Sequence, residues 1–177
     1  MKQILLLFFF VLCACKDAPK DTSLTENTSD KLEQNDDLGL EIYDYDGLEP
    51  LINVDDNNIH VVNFWATWCA PCVKELPYFE KLNATYKEKN VEVLSVSLDF
   101  PRKYKTNLIP FLEKKKIQSK VVCLDDVDQN RWVPAINETW SGALPATIIY
   151  KGDKRKFFEK SFTYEELENE VQQFLSP

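Results

Sequence analysis

The sequence predicts an α/β domain in which a mixed central β-sheet carries helices on both faces. Three observations predict it. Runs rich in β-branched and aromatic residues alternate with segments whose apolar residues recur every three or four positions, and strands separated by helices imply parallel crossovers. Two late strand-like runs flank Lys151-Gly152-Asp153, a hairpin signal that adds antiparallel strands. The chain has 177 residues, 44% of them hydrophobic, with four Trp, enough to build one core with some sequence left over.

Taken in order, Leu40–Tyr45 suits a short opening strand that Gly47 breaks, and Leu48, Leu51 and Ile52 suggest a helical turn after it. Ile59–Trp65 reads as a buried strand. From Pro71 to about Lys89, Val73, Leu76, Phe79, Leu82 and Tyr86 mark an amphipathic helix. Pro71 suits its first turn, where a missing N–H costs nothing, and Pro77 is expected to kink it. Val91–Leu98 is a second central strand, and Lys105–Lys116 a helix blemished by Pro110. Lys120–Leu124 is a strand, Gln129–Thr139 a helix in which Val133-Pro134 marks an irregular stretch, and Ala146–Tyr150 and Lys156–Lys160 form the hairpin. Thr163-Tyr164-Glu165-Glu166 is a capping box, and Leu167, Val171, Phe174 and Leu175 give the closing helix an apolar stripe.

Ahead of this domain, a short basic start leads into the apolar run Ile4–Leu12, too short to span a bilayer. It fits the apolar core of a secretory signal. The run ends in Leu12-Cys13-Ala14-Cys15, which resembles the bacterial lipobox. By that resemblance residues 1–14 are a lipoprotein signal peptide and Cys15 is the lipidated first mature residue. Bulky Leu12 ahead of Cys13 disfavours the earlier cysteine. Several acyl chains would hold the protein to a membrane, where one would be marginal. An ordinary cleaved signal is the competing reading. Residues 16–37 are polar with almost no large apolar residues, so 15–37 is expected to be a lipidated cysteine and flexible tether, and 38–177 the folded domain.

The formal charge of −8 argues against nucleic-acid binding, which wants a basic face. Five cysteines in this length do not make a disulfide-stapled scaffold. Two of them form Cys69-Ala70-Pro71-Cys72 between a strand and a helix, and that context carries chemistry. Unpaired N–H groups and the macrodipole at a helix N-terminus favour negative charge, so a thiolate there has a lowered pKa. The spacing brings both sulfurs within bonding distance, and the second thiol can attack a mixed disulfide made by the first. Cys69, at the exposed end, is the expected nucleophile and Cys72 the resolving thiol. A zinc site would need further ligands, and only Cys123 and the sole histidine, His60, remain, on separate strands; no metal is expected. Cys123, in Val121-Val122-Cys123-Leu124, reads as a buried inert thiol. Trp68 is expected to shield Cys69 and offer a surface to substrate, and Trp65 to be core.

Val62-Asn63-Phe64-Trp65-Ala66-Thr67-Trp68-Cys69-Ala70-Pro71-Cys72-Val73-Lys74-Glu75-Leu76-Pro77 closely resembles the active-site stretch of the thioredoxin-like TlpA and ResA proteins, and Gly142-Ala143-Leu144-Pro145-Ala146-Thr147 resembles their cis-proline loop. The resemblance runs from about residue 40 to the C-terminus. It implies a thioredoxin fold, thiol–disulfide exchange, and a position tethered outside the cytoplasmic membrane. It also implies that Pro145 is cis and faces the cysteine pair. The backbone of Leu144 would then receive an extended substrate as an added strand, with Trp68 and Pro71 completing the substrate contacts. Thioredoxin carries a buried Asp in the strand before the motif; here Asn63 stands in its place and cannot titrate. Glu75, three residues after Cys72, is the candidate proton handler, provided burial raises its pKa.

Two other functions compete. A peroxiredoxin would carry a P-x-x-x-T-x-x-C motif, and Thr67 lies one position too close to Cys69 for it. A non-catalytic, thiol-dependent chaperone or assembly factor would not turn over disulfides. Ala-Pro between the cysteines, where strong oxidants place a His, favours reduction over oxidation. The expected partners are protein disulfide clients, a membrane electron donor and a membrane reached through the lipid. A monomer facing the periplasm is expected, with no cofactor beyond the cysteine pair.

Overall fold

The computed structural model describes residues 39–175. The expected signal peptide, lipidated Cys15 and tether lie outside the described residues.

Six strands form one sheet: β1 (Glu41–Tyr43), β2 (Ile59–Trp65), β3 (Val91–Ser97), β4 (Lys120–Leu124), β5 (Ala146–Lys151) and β6 (Lys154–Phe158), in the order β1-β4-β3-β2-β5-β6. The first four run parallel, while β5 is antiparallel to β2 and β6 to β5. β2 is central and buried at every residue, which is why five of its seven residues are apolar, His60 and Asn63 being the exceptions. Its alternation assigns the two faces. Val62 and Phe64 pack with α1 (Tyr45–Ile52), α4 (Gln129–Ile136), Trp132 and Trp140 on one side. Ile59 and Val61 pack on the other with Phe79 and Leu82 of α2 (Ala70–Tyr86) and Leu167, Val171 and Phe174 of α5 (Tyr164–Leu175). Phe79 and Leu82 are fully buried, each contributing about 1.5–3 kcal/mol over an exposed placement. The order and the mixed sheet are those of the expected thioredoxin fold.

Several elements differ from expectation for local reasons. Gly47 ends no strand but sits inside α1, its N–H donating to the Asp44 cap at 2.9 Å. A Cβ there would meet the Tyr43 ring at 3.0 Å, so the close approach of α1 to β1 needs glycine. The helix expected over 105–116 begins as a π-helical turn, Tyr104–Leu108, before α3 (Ile109–Lys115). Pro110 has no N–H to donate, and the neighbouring Ile109 N–H reaches back to the Tyr104 carbonyl. Val133 and Pro134 lie within α4 rather than in an irregular stretch, because one proline removes one backbone bond and the Asn137 N–H still reaches Val133 at 3.2 Å. That helix stops at Ile136, short of Thr139, because Asn137 is extended and its side chain accepts from the Thr139 N–H at 2.9 Å. α2 runs unbroken through Pro77 to Tyr86, followed by a 3₁₀ turn over Lys87–Lys89. β6 starts at Lys154 because Gly152, at φ +51°, closes a tight turn pairing Lys151 with Lys154. Leu175 is 37% exposed, one residue beyond the buried Leu167-Val171-Phe174 face.

The Thr163 capping box is formed in both directions: the Glu166 carboxylate accepts from the Thr163 N–H at 2.8 Å, and the Thr163 hydroxyl accepts from the Glu166 N–H at 3.3 Å.

Candidate active site

The chain leaves the C-terminal end of β2 at Trp65 and must turn into α2 within a few residues. Cys69 makes that turn. Its N–H donates to the Ala66 carbonyl at 3.1 Å, its backbone is extended, and it caps α2. The Sγ of Cys69 accepts from the Cys72 N–H at 3.3 Å, taking the place that an oxygen fills in an ordinary N-cap. Pro71 falls in the first turn, where its missing N–H leaves nothing unsatisfied. A sulfur held on a helix N-terminal N–H is one whose negative charge the helix stabilises.

Cys69 and Cys72 are joined as a disulfide, their Cα atoms 5.3 Å apart. Cys69 is 6% exposed and Cys72 fully buried, so the sulfur that a visiting protein can reach is that of Cys69. Both pack in a cluster with Trp65, Leu76, Tyr104, Leu108 and Cys123. Trp65 is fully buried, whereas Trp68 is 58% exposed and stacks on Phe100 with centroids 6.2 Å apart.

β5 brings the second landmark alongside. Ala146 pairs with Phe64 and Thr147 with Asn63, so Pro145 sits at the end of β5 beside the end of β2 from which the cysteine loop leaves. The Leu144–Pro145 peptide bond is cis, and Leu144 packs against the cluster that holds both cysteines.

Beneath the helix start is a polar group in an apolar surround. Glu75 is 1% exposed. Its carboxylate accepts from the Phe162 N–H at 2.7 Å and from the Asn63 amide at 3.4 Å, and Asn63 also donates to Thr147 at 3.3 Å. Burial pushes Glu75 up to about 7, against the opposing pull of those two donors. A carboxyl at that value is charged in about half of molecules at neutral pH.

Asp99 has no counterpart in the sequence reading. It is 2% exposed and accepts from the Thr67 N–H at 2.9 Å, the Thr67 hydroxyl at 2.5 Å and the Ser97 hydroxyl at 2.9 Å. It thereby pins the loop between β2 and Cys69 to the end of β3. The signal for it was its place two residues beyond the second central strand, since neighbouring parallel strands end side by side, as the Trp65–Ser97 pairing does here.

Cys123 and His60, weighed above as possible metal ligands, remain. Cys123 is a buried free thiol pushed up to about 12 by burial. His60 sits at the opposite end of β2, stacked on Tyr150 with its Nε2 2.8 Å from Asp56. Among the described residues, no cluster of three or more His, Cys, Asp or Glu is arranged to hold a metal ion.

A sheet of this order, with a disulfide-forming CxxC at the start of the helix after its central strand and a cis-proline beside it, defines a thioredoxin-fold protein. The chain belongs to the AhpC/TSA family, whose model matches residues 50–155. It is 31% identical over 113 residues to the thiol-disulfide oxidoreductase ResA of Geobacillus thermodenitrificans, a match covering 63% of this chain and 60% of that one. The chain thus spans less than two thirds of the length of that relative. Solved structures share the fold. A thioredoxin-related protein from Neisseria meningitidis serogroup B aligns with a TM-score of 0.59 at 24% identity, over 70% of this chain and 90% of that one. A secreted thiol-disulfide isomerase from Corynebacterium glutamicum aligns with a TM-score of 0.58 at 16% identity, over 69% and 73%. The resemblance to the ResA proteins is supported by the sequence relative, and the thioredoxin fold by the solved structures.

Proposed function

We propose that this protein is a thiol–disulfide oxidoreductase that reduces disulfides of client proteins at the cell envelope, held to a membrane by a lipid on Cys15. The observation that carries the redox reading is the Cys69 sulfur seated on the Cys72 N–H at the mouth of α2. In the reduced protein the Cys69 thiolate attacks one sulfur of a client disulfide, and the client's other sulfur leaves as a thiolate. Cys72 then attacks the Cys69 sulfur of the mixed disulfide and releases the second client thiolate. Two electrons pass to the client, and the pair ends oxidised, the state seen here. Glu75, one helical turn beyond Cys72, takes the Cys72 proton. Leu144, ahead of cis-Pro145, receives the client backbone, with Trp68 and Pro71 lining the approach.

The pair is the only redox centre this chemistry requires. Regeneration takes two electrons from a membrane donor. The Ala-Pro dipeptide favours reduction. Equilibration of the Cys69–Cys72 pair against thiol buffers tests the direction: a potential near thioredoxin's, about −270 mV, is expected, and one near DsbA's, about −120 mV, would reverse it. No helix among the described residues is long and apolar enough to cross a membrane. Attachment is assigned to the N-terminal segment on its lipobox resemblance; incorporation of labelled fatty acid, lost in Cys15→Ala with release of the protein from membranes, is the expected result. The peroxidase alternative is disfavoured by Thr67, whose hydroxyl is committed to Asp99; peroxide consumption by the purified protein would revive it.

A further inference from the structure

The region around Cys69 combines three features that the exchange chemistry does not use. The first is an aromatic pair on the surface. Trp68 is 58% and Phe100 52% exposed, and their rings stack at 6.2 Å with an interplanar angle of 23°. Two large apolar rings in water, one of them adjacent to the nucleophile, are costly to display without a partner.

The second is that the pair is held in place from below. Thr67 and Asp99 are the residues immediately before Trp68 and Phe100. The Asp99 carboxylate takes both the N–H and the hydroxyl of Thr67, and the Ser97 hydroxyl as well. Two loops from neighbouring strands are thus clamped, and each presents its next side chain outward. A preorganised surface of this kind loses little freedom when a partner lands on it.

The third is charge. The protein is acidic, with a net charge of −8, yet no carboxylate occurs from Phe100 to Leu112 or from Asn57 to Lys74. Asp99, the residue before Phe100, and Glu75 are buried. Arg102 and Lys103 are exposed, and the Arg102 guanidinium lies 5.1 Å from the centre of the Phe100 ring. Phe100 therefore has a cationic rim, Arg102 and Lys103, on a chain whose formal net charge is negative.

We infer that Trp68 and Phe100, rimmed by Arg102 and Lys103, are a docking platform for client segments that carry an aromatic side chain and acidic residues next to their disulfide cysteine. The inference rests on the thiol–disulfide reading above and adds the class of client. The rings take the aromatic side chain by stacking, and the rim selects acidic flanks.

The test uses the reduced full-length chain and three disulfide-bonded peptides of equal length: Phe with Asp flanks, Phe with Lys flanks, and Ser with Asp flanks. In wild type, kcat/KM is expected to favour the Asp-flanked over the Lys-flanked Phe peptide by about tenfold at low salt, with the ratio shrinking as salt rises. The double variant Arg102→Glu/Lys103→Glu should bring that ratio to parity or below. Phe should be favoured over Ser by about fivefold in wild type, through KM, and Phe100→Ser should reduce that ratio to under about twofold. Wild type that treats the Asp- and Lys-flanked peptides alike overturns the platform, as does a ratio that survives charge reversal. Wild type that reduces no peptide, or turnover that persists in Cys69→Ser, overturns the underlying thiol–disulfide reading instead.

Discussion

Glu75→Gln separates a buried titrating carboxyl from a solvated one. Glu75 is 1% exposed and pushed from the ordinary 4.5 up to about 7, chiefly by desolvation. Folding therefore favours the protonated group. Its contribution is whole below about pH 4.5, is lost as pH rises towards about 7, and changes no further above that. Between about pH 5 and about pH 8 this one residue should remove about 2–3 kcal/mol of stability, or roughly 5–10 °C in Tm for a domain of this size. Glutamine keeps the shape, can accept from the Phe162 N–H, and does not titrate. The assay is denaturant unfolding of the oxidised protein and of the oxidised variant across that range. Other carboxylates, such as Glu166 and Glu168, are held low and act in the opposite sense, but they cancel in the difference between the two proteins. The stability of wild type relative to Glu75→Gln should fall by about 2–3 kcal/mol as pH rises. A difference constant to within about 0.5 kcal/mol would refute the reasoning, because an unshifted carboxyl would already be fully charged near pH 5.5 and above.

Two further predictions concern the frame around the site. Thr163→Ala removes half of the reciprocal cap on α5 and should cost about 1 kcal/mol in chemical denaturation, with Thr163→Ser restoring most of it. Cys123, buried and pushed up to about 12, should resist alkylation at pH 8 in the native protein and react on unfolding, where mass spectrometry counts the labels. Rapid native labelling at Cys123 would show that β4 opens locally.

Much of the frame was legible because it is written in short-range chemistry. β2, from Ile59 to Trp65, follows from a run rich in β-branched and aromatic residues, and β4 from Lys120-Val121-Val122-Cys123-Leu124. The cap on α5 needs only Thr163 and Glu166 at the right spacing. Where backbone donors were missing or redirected, the pattern misled: apolar spacing over Tyr104–Lys115 looks helical, but Pro110 sets a π turn ahead of α3. The site divides the same way. Cys69 and Cys72 announce themselves through spacing and context. The burial of Glu75 does not, because the donor that holds it, Phe162, is 87 residues away. Asp99 and Phe100 were missed for the same reason: they reach the cysteine loop through the parallel pairing of β2 with β3, which only their place just past the second central strand hints at.

The most direct measurement traps the first covalent step. Reduced Cys72→Ser protein is mixed with a disulfide-bonded peptide, quenched with acid and digested for mass spectrometry. A mixed disulfide joining the peptide to Cys69 should accumulate, and Cys69→Ser should give none. A peptide attached at Cys72 in the Cys69→Ser protein with none at Cys69, or no adduct in either variant, would contradict the assignment of the attacking sulfur to the head of α2.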